Sequence, residues 1–393
     1  MKSDIAKLTD NYSTNNQVEL ILGGKKYFDF LLKLITNAKE SIHIQTYIFA
    51  EDETGNLIIN ALKKSVNRGV DVHLLADGYA SKDLSNQFIN QLKIDGVNFR
   101  FFEPFFKNSN FYFGRRLHHK VVVVDEKYAL VGGLNIANHY NDLPNKPSWL
   151  DFALYVEGEI AQQLCIICWK TWNGFKINSN VLPREKTKID FSIPAEKQVK
   201  IKILRNDWVR RKNEISKFYI KMFQSSEKEI TILCSYFFPG KKIRRAMILA
   251  IKRGIKIKVV VAGVSDVAVA KHAERWLYDW LLRNGFEIYE YKKNVLHAKI
   301  AVCDDNLMTI GSYNINDISA FASIELNLEV KNAVFGKAVR KTLNKIIATD
   351  CEQITTEKYN KTNTILKKIV NWLAFKLVKI LFYLFTFYFR QRN

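Results

Sequence analysis

Apolar positions recur along the chain with two periods. Residues 27–38 place Phe28, Leu31, Leu32 and Ile35 at helical spacing, and 41–49, SIHIQTYIF, alternate as a strand. The spacing predicts a short strand over 17–22, a helix over 55–66 and a strand over 70–77, with Gly69 as the glycine that ends the helix. Strand, helix and strand at this distance form a βαβ unit. The order returns after residue 200: helix 213–224, strand 229–238 (EITILCSYFF), helix 242–252, strand 255–262, helix 276–284 and strand 286–291. Tyr47 in TYIF is matched by Tyr236 in SYFF, and NRG-V ending at Val70 by KRG-I ending at Ile255. The chain therefore reads as a divergent internal repeat. The expected division is a flexible start over 1–19, a first domain over 20–177, a linker over 178–200, a second domain over 201–350 and a tail over 351–393.

The 393 residues carry 60 Lys and Arg against 39 Asp and Glu, a formal charge of +21. This excess predicts anionic partners, whether lipid, nucleic acid or a phosphate-bearing substrate. An apolar content of 48% with 6 Pro and 17 Gly excludes a disordered or collagen-like chain. Five scattered cysteines do not make a disulfide framework, and Cys165 and Cys168 sit in an apolar run, LCIICWKTW, without further ligands for a metal. The polar start lacks the apolar core of a secretory signal.

The carboxyl end differs from the rest. From residue 361 onward the charges are Lys361, Lys367, Lys368, Lys376, Lys379, Arg390 and Arg392, with no Asp or Glu. An aromatic and aliphatic run begins at Ile369. Lysines that reach past apolar neighbours to anionic headgroups suit a helix lying on a membrane. A dipped or short spanning helix, and a helix packed on the body or at a dimer interface, remain alternatives. The basic aromatic segment 99–116 suits lipid headgroups and acyl chains, with stacked bases or a sheet core interrupted by a basic loop as alternatives.

Two segments carry the chemistry. LHHKVVVVD at 117–125 and LHAKIAVCD at 296–304 both read H-x-K-x4-D, giving His118, Lys120 and Asp125, then His297, Lys299 and Asp304. Each leads into a small-residue turn with an amide, VGGLN with Asn135 and IGSYN with Ser312 and Asn314. On a strand, residues two apart share a face. His118 and Lys120 then point together, as do His297 and Lys299, and His119 points away. His43, His73 and His272 read as core-edge or surface residues, and Asp52, Asp77 and Asp266 sit near strand ends where ligand groups gather.

The two copies resemble the duplicated HKD motif of the phospholipase D superfamily, and the chain over about 20–350 is most similar to bacterial cardiolipin synthases. The resemblance rests on AKESIHIQTYIFAEDETGNLI, RGVDVHLLADGYAS, FRFFEPFF, VGGLNIANHY and WLDFALYVEGE in the first half, and on SYFFPG, RGIKIKVVVAG, IGSYNIN and IELNLEV in the second. It implies an α/β fold of two tandem phospholipase D-like α/β/α sandwich domains with pseudo-two-fold symmetry, plus the apolar basic helix at the carboxyl end. It implies one shared site in which His118 becomes a phosphohistidine and His297 serves as acid and base, with no metal and no cofactor. Lys120 and Lys299 would hold phosphate oxygens, Asn135, Ser312 and Asn314 would donate to them, and Asp125 and Asp304 would support. Asp151 in WLDF and Glu325 in SIELN resemble the family's acids that orient the histidines. The implied activity is cardiolipin synthesis from two phosphatidylglycerols with release of glycerol. The alternatives are another phospholipase D-type hydrolase or transphosphatidylase, and a nucleic-acid phosphodiesterase. The implied partners are phosphatidylglycerol, other anionic phospholipids and the membrane surface, with no nucleic acid and no obligate protein partner. The implied location is the cell membrane, peripheral or anchored by the tail, with the body on the cytoplasmic side. Many cardiolipin synthases carry two amino-terminal spans, and the absence of such runs here places this chain nearer the shorter type.

Overall fold

A computed structural model describes residues 12–103, 115–144, 146–175, 189 and 191–390. Most of the expected start over 1–19, most of the expected linker and the middle of the basic aromatic segment 99–116 lie outside these residues. The strands of the first half are β1 (Asn16–Leu22), β2 (Ser41–Thr46), β3 (Asp71–Asp77), β4 (Asn98–Phe102), β5 (Arg116–Leu117), β6 (Lys120–Val124), β7 (Tyr128–Gly132) and β8 (Phe152–Gly158). Those of the second are β9 (Lys200–Asp207), β10 (Lys212–Asn213), β11 (Glu229–Cys234), β12 (Lys256–Val264), β13 (Glu287–Val295), β14 (Lys299–Cys303), β15 (Leu307–Gly311), β16 (Ser323–Lys331) and β17 (Cys351–Ile354).

The first sheet runs β1-β8-β7-β6-β2-β3-β4, and the second repeats it as β9-β16-β15-β14-β11-β12-β13, with β10 and β17 added at its edges. The repeat seen in the sequence is therefore a repeat of topology. In both halves the strands that begin the βαβ units pair in parallel, β2 with β3 and β11 with β12. The motif strands pair antiparallel beside them, β6 with β2 and β14 with β11.

Alternation along the motif strands explains how the halves join. Val121 and Val123 share one core with Ile300, Val302, Leu326 and Leu328 of the other half. Val122 and Val124 face a core private to the first half, and Ala301 and Cys303 one private to the second. Both faces of each motif strand are thus buried, which suits their unbroken apolar runs. The halves are also stitched by backbone: β5 pairs in parallel with β16. Cys165 and Cys168, on the helix Glu159–Trp172, lie in the shared core as free thiols.

Several boundaries move. Strand β1 starts inside the segment expected to be flexible, because it completes the sheet edge against β8. Strands β2 and β11 stop at Thr46 and Cys234, ahead of the YIF and YFF that extend the apolar pattern. Beyond these ends Tyr47 leaves the sheet to pack on His118, while Phe49 and Phe237 turn into the two private cores. The helix expected over 276–284 runs over Ala268–Arg283; its first turns carry small and polar residues that blur the periodicity. Gly69 has φ 87°, the left-handed geometry that ends the preceding helix. The first residues of the expected tail belong to the second sheet, as β17 pairs with β13.

Candidate active site

Each motif strand begins beside the start of the other half's acid-bearing strand, β16 for the first motif and β8 for the second. His118 N–H donates to Ile324 O at 3.0 Å, and His297 N–H donates to Leu150 O at 2.8 Å. Ile324 precedes Glu325 and Leu150 precedes Asp151, so the acids arrive beside the histidines of the opposite half. His118 Nδ1 lies 2.9 Å from the Glu325 carboxylate. His297 Nδ1 lies 2.7 Å from Asp151 Oδ2. A carboxylate on Nδ1 fixes the tautomer that presents Nε2 to a substrate. The two pairs are crossed, and neither half holds a complete pair alone.

Lys120 and Lys299 are buried with the histidines. Lys120 Nζ donates to His118 O at 2.6 Å, and Lys299 Nζ donates to His297 O. Burial, aided by the Lys299 charge and opposed by Glu325 and Asp151, lowers the Lys120 pKa to about 7. Burial likewise depresses Lys299. Two buried ammonium groups are costly unless an anion joins them. The arrangement suits a phosphodiester whose non-bridging oxygens sit between them.

The histidines are held neutral at rest. Burial depresses the His118 pKa, and Lys120 and Lys299 add to that against the pull of Glu325. Burial also drives His297 well below the ordinary imidazole value, helped by Lys299, Lys120 and His118. Asp151 moves the other way, to about 7, because burial outweighs the attraction of Lys299.

The remaining expected residues divide. His119 faces away, with Nε2 2.8 Å from Gln45 Oε1, and Gln45 Nε2 donates to Cys168 O on the helix behind. Asn135 is committed within the protein: Oδ1 accepts from Ile48 N–H and Nδ2 donates to Tyr140 Oη at 2.8 Å. The Ser312 hydroxyl donates to Glu325. The resemblance implies that both donate to phosphate; here the Ser312 proton goes to Glu325, and Asn135 gives one of its two Nδ2 N–H groups to Tyr140. Asn314 Oδ1 accepts from Ser235 Oγ, leaving Nδ2 without a partner among the described residues.

Asp125 and Asp304 are not brought to the cluster. Each ends its motif strand in a left-handed turn, with φ 52° and 48°. The Asp125 carboxylate accepts the N–H groups of Lys39, Glu40 and Ser41, and Asp304 those of Glu227, Lys228 and Glu229. They clamp the neighbouring strand's start at the far end of the sheet, a purely structural task. Asp52 caps the helix Glu53–Val66 through Gly55 N–H. Asp77 accepts Leu117 N–H at 2.8 Å and so anchors the chain just before His118. Asp266 accepts the Tyr236 hydroxyl.

Sequence reasoning missed two aromatics. Tyr140 Oη is 3.4 Å from His297 Nε2, and its ring stands edge-on to the imidazole at 5.1 Å. The Tyr47 ring packs on His118 at 4.9 Å, with Lys120 Nζ 5.1 Å from the same ring. Tyr47 was visible as one of a matched pair, whereas Tyr140 carried only the signal of an aromatic five residues after Asn135 in a loop. Among the described residues no three His, Cys, Asp or Glu side chains are grouped to hold a metal.

Known proteins resemble this chain. The chain is 32% identical to cardiolipin synthase B of Escherichia coli (strain K12), over 88% of this chain and 83% of that protein. It is 30% identical to the probable cardiolipin synthase YwiE of Bacillus subtilis (strain 168), over 81% of this chain and 63% of that one. The crystal structure of phosphatidylserine synthase from Haemophilus influenzae Rd KW20 superposes with a TM-score of 0.71 at 16% identity, covering 94% of this chain and 95% of that one, which shows a common fold. The family described as cardiolipin synthase, PLD-like domain, matches residues 31–145 and 219–347, a span that includes both motifs. By this match and by its identity to those relatives, the chain belongs to the cardiolipin synthase family of phospholipase D-like proteins.

Proposed function

We propose that the chain is a cardiolipin synthase that joins two phosphatidylglycerols and releases glycerol. The observation that supports it most is the pair of crossed histidine–carboxylate contacts flanking two buried lysines. His118 is the nucleophile. Its Nε2 has no hydrogen-bond partner among the described residues, and its side chain is 17% exposed against 9% for His297.

The first phosphatidylglycerol binds with its phosphate between Lys120 and Lys299, with Asn314 Nδ2 as a further donor. Its negative charge offsets the lysines and raises the basicity of His297, which can then carry a proton on Nε2. The His118 Nε2 lone pair attacks phosphorus as the bond to the glycerol oxygen breaks, and His297 gives that oxygen its proton. Glycerol leaves and phosphatidyl-His118 remains. The terminal hydroxyl of the second phosphatidylglycerol then loses its proton to His297 and attacks phosphorus, breaking the P–N bond. Cardiolipin is released and both imidazoles return to their starting state. One phosphodiester replaces another, so the reaction needs no external energy source.

The enzyme acts at the membrane, where the tail helix Ile365–Arg390 holds it as a peripheral protein on the cytoplasmic face. Ile365–Thr386 is long and apolar enough to cross a bilayer, yet one side of the helix is packed on the folded body. The five free cysteines fit a reducing compartment.

The test is lipid mass analysis after incubating purified protein with phosphatidylglycerol vesicles. Cardiolipin with equimolar glycerol is expected. Phosphatidic acid as the main product would mean hydrolysis, and DNA cleavage without lipid turnover would overturn the lipid reading.

A further inference from the structure

The tail helix has two apolar sides. On one, Ala374, Phe375, Val378 and Phe382 pack against Phe238, Ala270, Ala273 and Leu277. The Phe238 and Phe382 rings meet edge-on at 5.7 Å, and Asn371 Oδ1 lies 2.9 Å from His272 Nδ1. On the opposite side Ile369, Leu373, Leu377, Ile380 and Leu384 recur at helical spacing and are exposed. A contiguous outward row of this kind is rare on a protein that meets only water.

A second surface adjoins it. The helix Lys241–Lys252, KKIRRAMILAIK, buries Ile243, Ala246, Met247 and Ala250 and turns Lys241, Arg245, Leu249 and Lys252 to solvent. An open cleft of about 430 Å³ lies between this helix and Trp280. Four cations line it, Lys241, Arg244, Arg245 and Lys252, and no carboxylate does among the described residues. Arg244 stacks over Trp280 at 4.9 Å and donates from Nε to Pro239 O at 2.7 Å. The two surfaces share one field. Lys379 of the tail has its pKa lowered by burial and then by Arg244, Lys376 and Lys241, with Asp317 the opposing carboxylate.

We propose that these surfaces form one platform for an anionic bilayer. The outer row of the tail helix enters the apolar boundary of the leaflet. The cations of the Lys241–Lys252 helix, with Lys376 and Lys379, hold anionic phospholipid headgroups beside it. Charge selects this occupant over a second copy of the chain, because a symmetric pairing through the platform would set like cations against one another. The platform also adjoins the active site. Phe238 and Tyr236 of the docked cluster follow Ser235, whose hydroxyl donates to Asn314. A phospholipid leaving the leaflet there would reach the His297 side first. The inference rests on the phospholipid reading of the active site.

Two variants of the full chain test it. Lys241→Ala with Arg245→Ala and Lys252→Ala removes exposed charge, and Leu373→Ser with Leu377→Ser and Leu384→Ser removes exposed apolar surface. Both leave the docked face and the catalytic residues intact. Sedimentation uses vesicles of phosphatidylglycerol with phosphatidylcholine, and of phosphatidylcholine alone. The charge variant is expected to lose at least about tenfold in affinity for the anionic vesicles at moderate salt, and to show a shallower salt dependence, since Arg244, Lys376 and Lys379 remain. The serine variant is expected to lose binding to both. Each should keep wild-type turnover of short-chain phosphatidylglycerol in solution. A charge variant that binds anionic vesicles like wild type overturns the proposal. So does a serine variant that breaks a dimer while vesicle binding is unchanged, since the row would then join two copies. Wild-type protein that binds vesicles as expected but makes no cardiolipin from either substrate form would sink the transferase reading and leave the platform standing.

Discussion

Around His118 the acid is Glu325, whose carboxylate also takes the Ser312 hydroxyl; around His297 it is Asp151, and the position that matches Ser312 is Gly133. The difference is steric as well as chemical. A Cβ at residue 133 would stand 2.3 Å from Asp151 Oδ2, so a side chain there would push the carboxylate from its place beside His297. The aspartate, one methylene shorter, lies against bare backbone and accepts Phe152 N–H at 2.8 Å. Nε2 differs too. That of His297 faces the Tyr140 hydroxyl, while that of His118 is open among the described residues. One scaffold, duplicated, thus presents an open imidazole backed by a hydroxyl-bonded glutamate and a covered imidazole backed by an aspartate with a pKa of about 7. The two-step transfer proposed above needs such a division, because the nucleophile must offer a lone pair and its partner must carry and return a proton.

The division breaks or holds first at the histidines. His118→Ala and His297→Ala should each lower turnover of phosphatidylglycerol by about 10⁴-fold or more, as both steps need both groups. An activated leaving group separates them. A p-nitrophenyl phosphodiester departs without protonation, so His297→Ala should regain a burst of nitrophenol with phosphatidyl-His118 trapped on the protein. His118→Ala should stay silent. Peptide mass spectrometry after acid-free quenching reads the site, and a trapped adduct on His297 would reverse the roles.

The carboxylates come next. Glu325→Gln and Asp151→Asn should each cost about 10²–10³-fold, since each leaves an imidazole in the wrong tautomer. Their pH profiles should differ. The Asp151 carboxyl is raised to about 7 by burial, so it takes up a proton as pH falls through that value and ceases to anchor His297. Wild-type kcat/KM should therefore decline on the acid side with a midpoint near 7 set by this group. Asp151→Asn should lose that limb and Glu325→Gln should keep it. The same limb in both variants would assign the ionisation elsewhere.

Much of the architecture was legible because it is written in local patterns. The alternating strands, the glycine ends and the paired H-x-K-x4-D runs each depend on neighbours in sequence, and the repeat doubles every signal. The crossing of acids to the opposite half's histidines was not legible, since Asp151 and His297 meet only after two sheets pack face to face. The neighbours of Ser312 and Asn135 were not legible either. Their donors suit phosphate, but a hydroxyl 13 residues before Glu325 meets it across β15 and β16, a fact of register rather than residue type. The tail showed its charge and apolar content, yet not that one side of it is spent on Phe238 and Leu277.

The smallest test concerns the cover on His297. Tyr140→Phe removes one hydroxyl, which stands 3.4 Å from His297 Nε2 and accepts from Asn135 Nδ2 at 2.8 Å. If the hydroxyl aims the imidazole at the leaving oxygen, its loss slows only steps that move a proton there. Turnover of phosphatidylglycerol should fall about 3–10-fold, while the burst on the p-nitrophenyl substrate should be unchanged. Stability is expected to fall by about 1–2 kcal/mol, because the buried Asn135 amide loses its acceptor. A structural role alone would slow both substrates together, through a displaced Asn135 and the Ile48 segment that it holds beside Tyr47. Equal slowing would therefore remove Tyr140 from the acid–base half of the site, and the asymmetry would then rest on Asp151 and Gly133 alone.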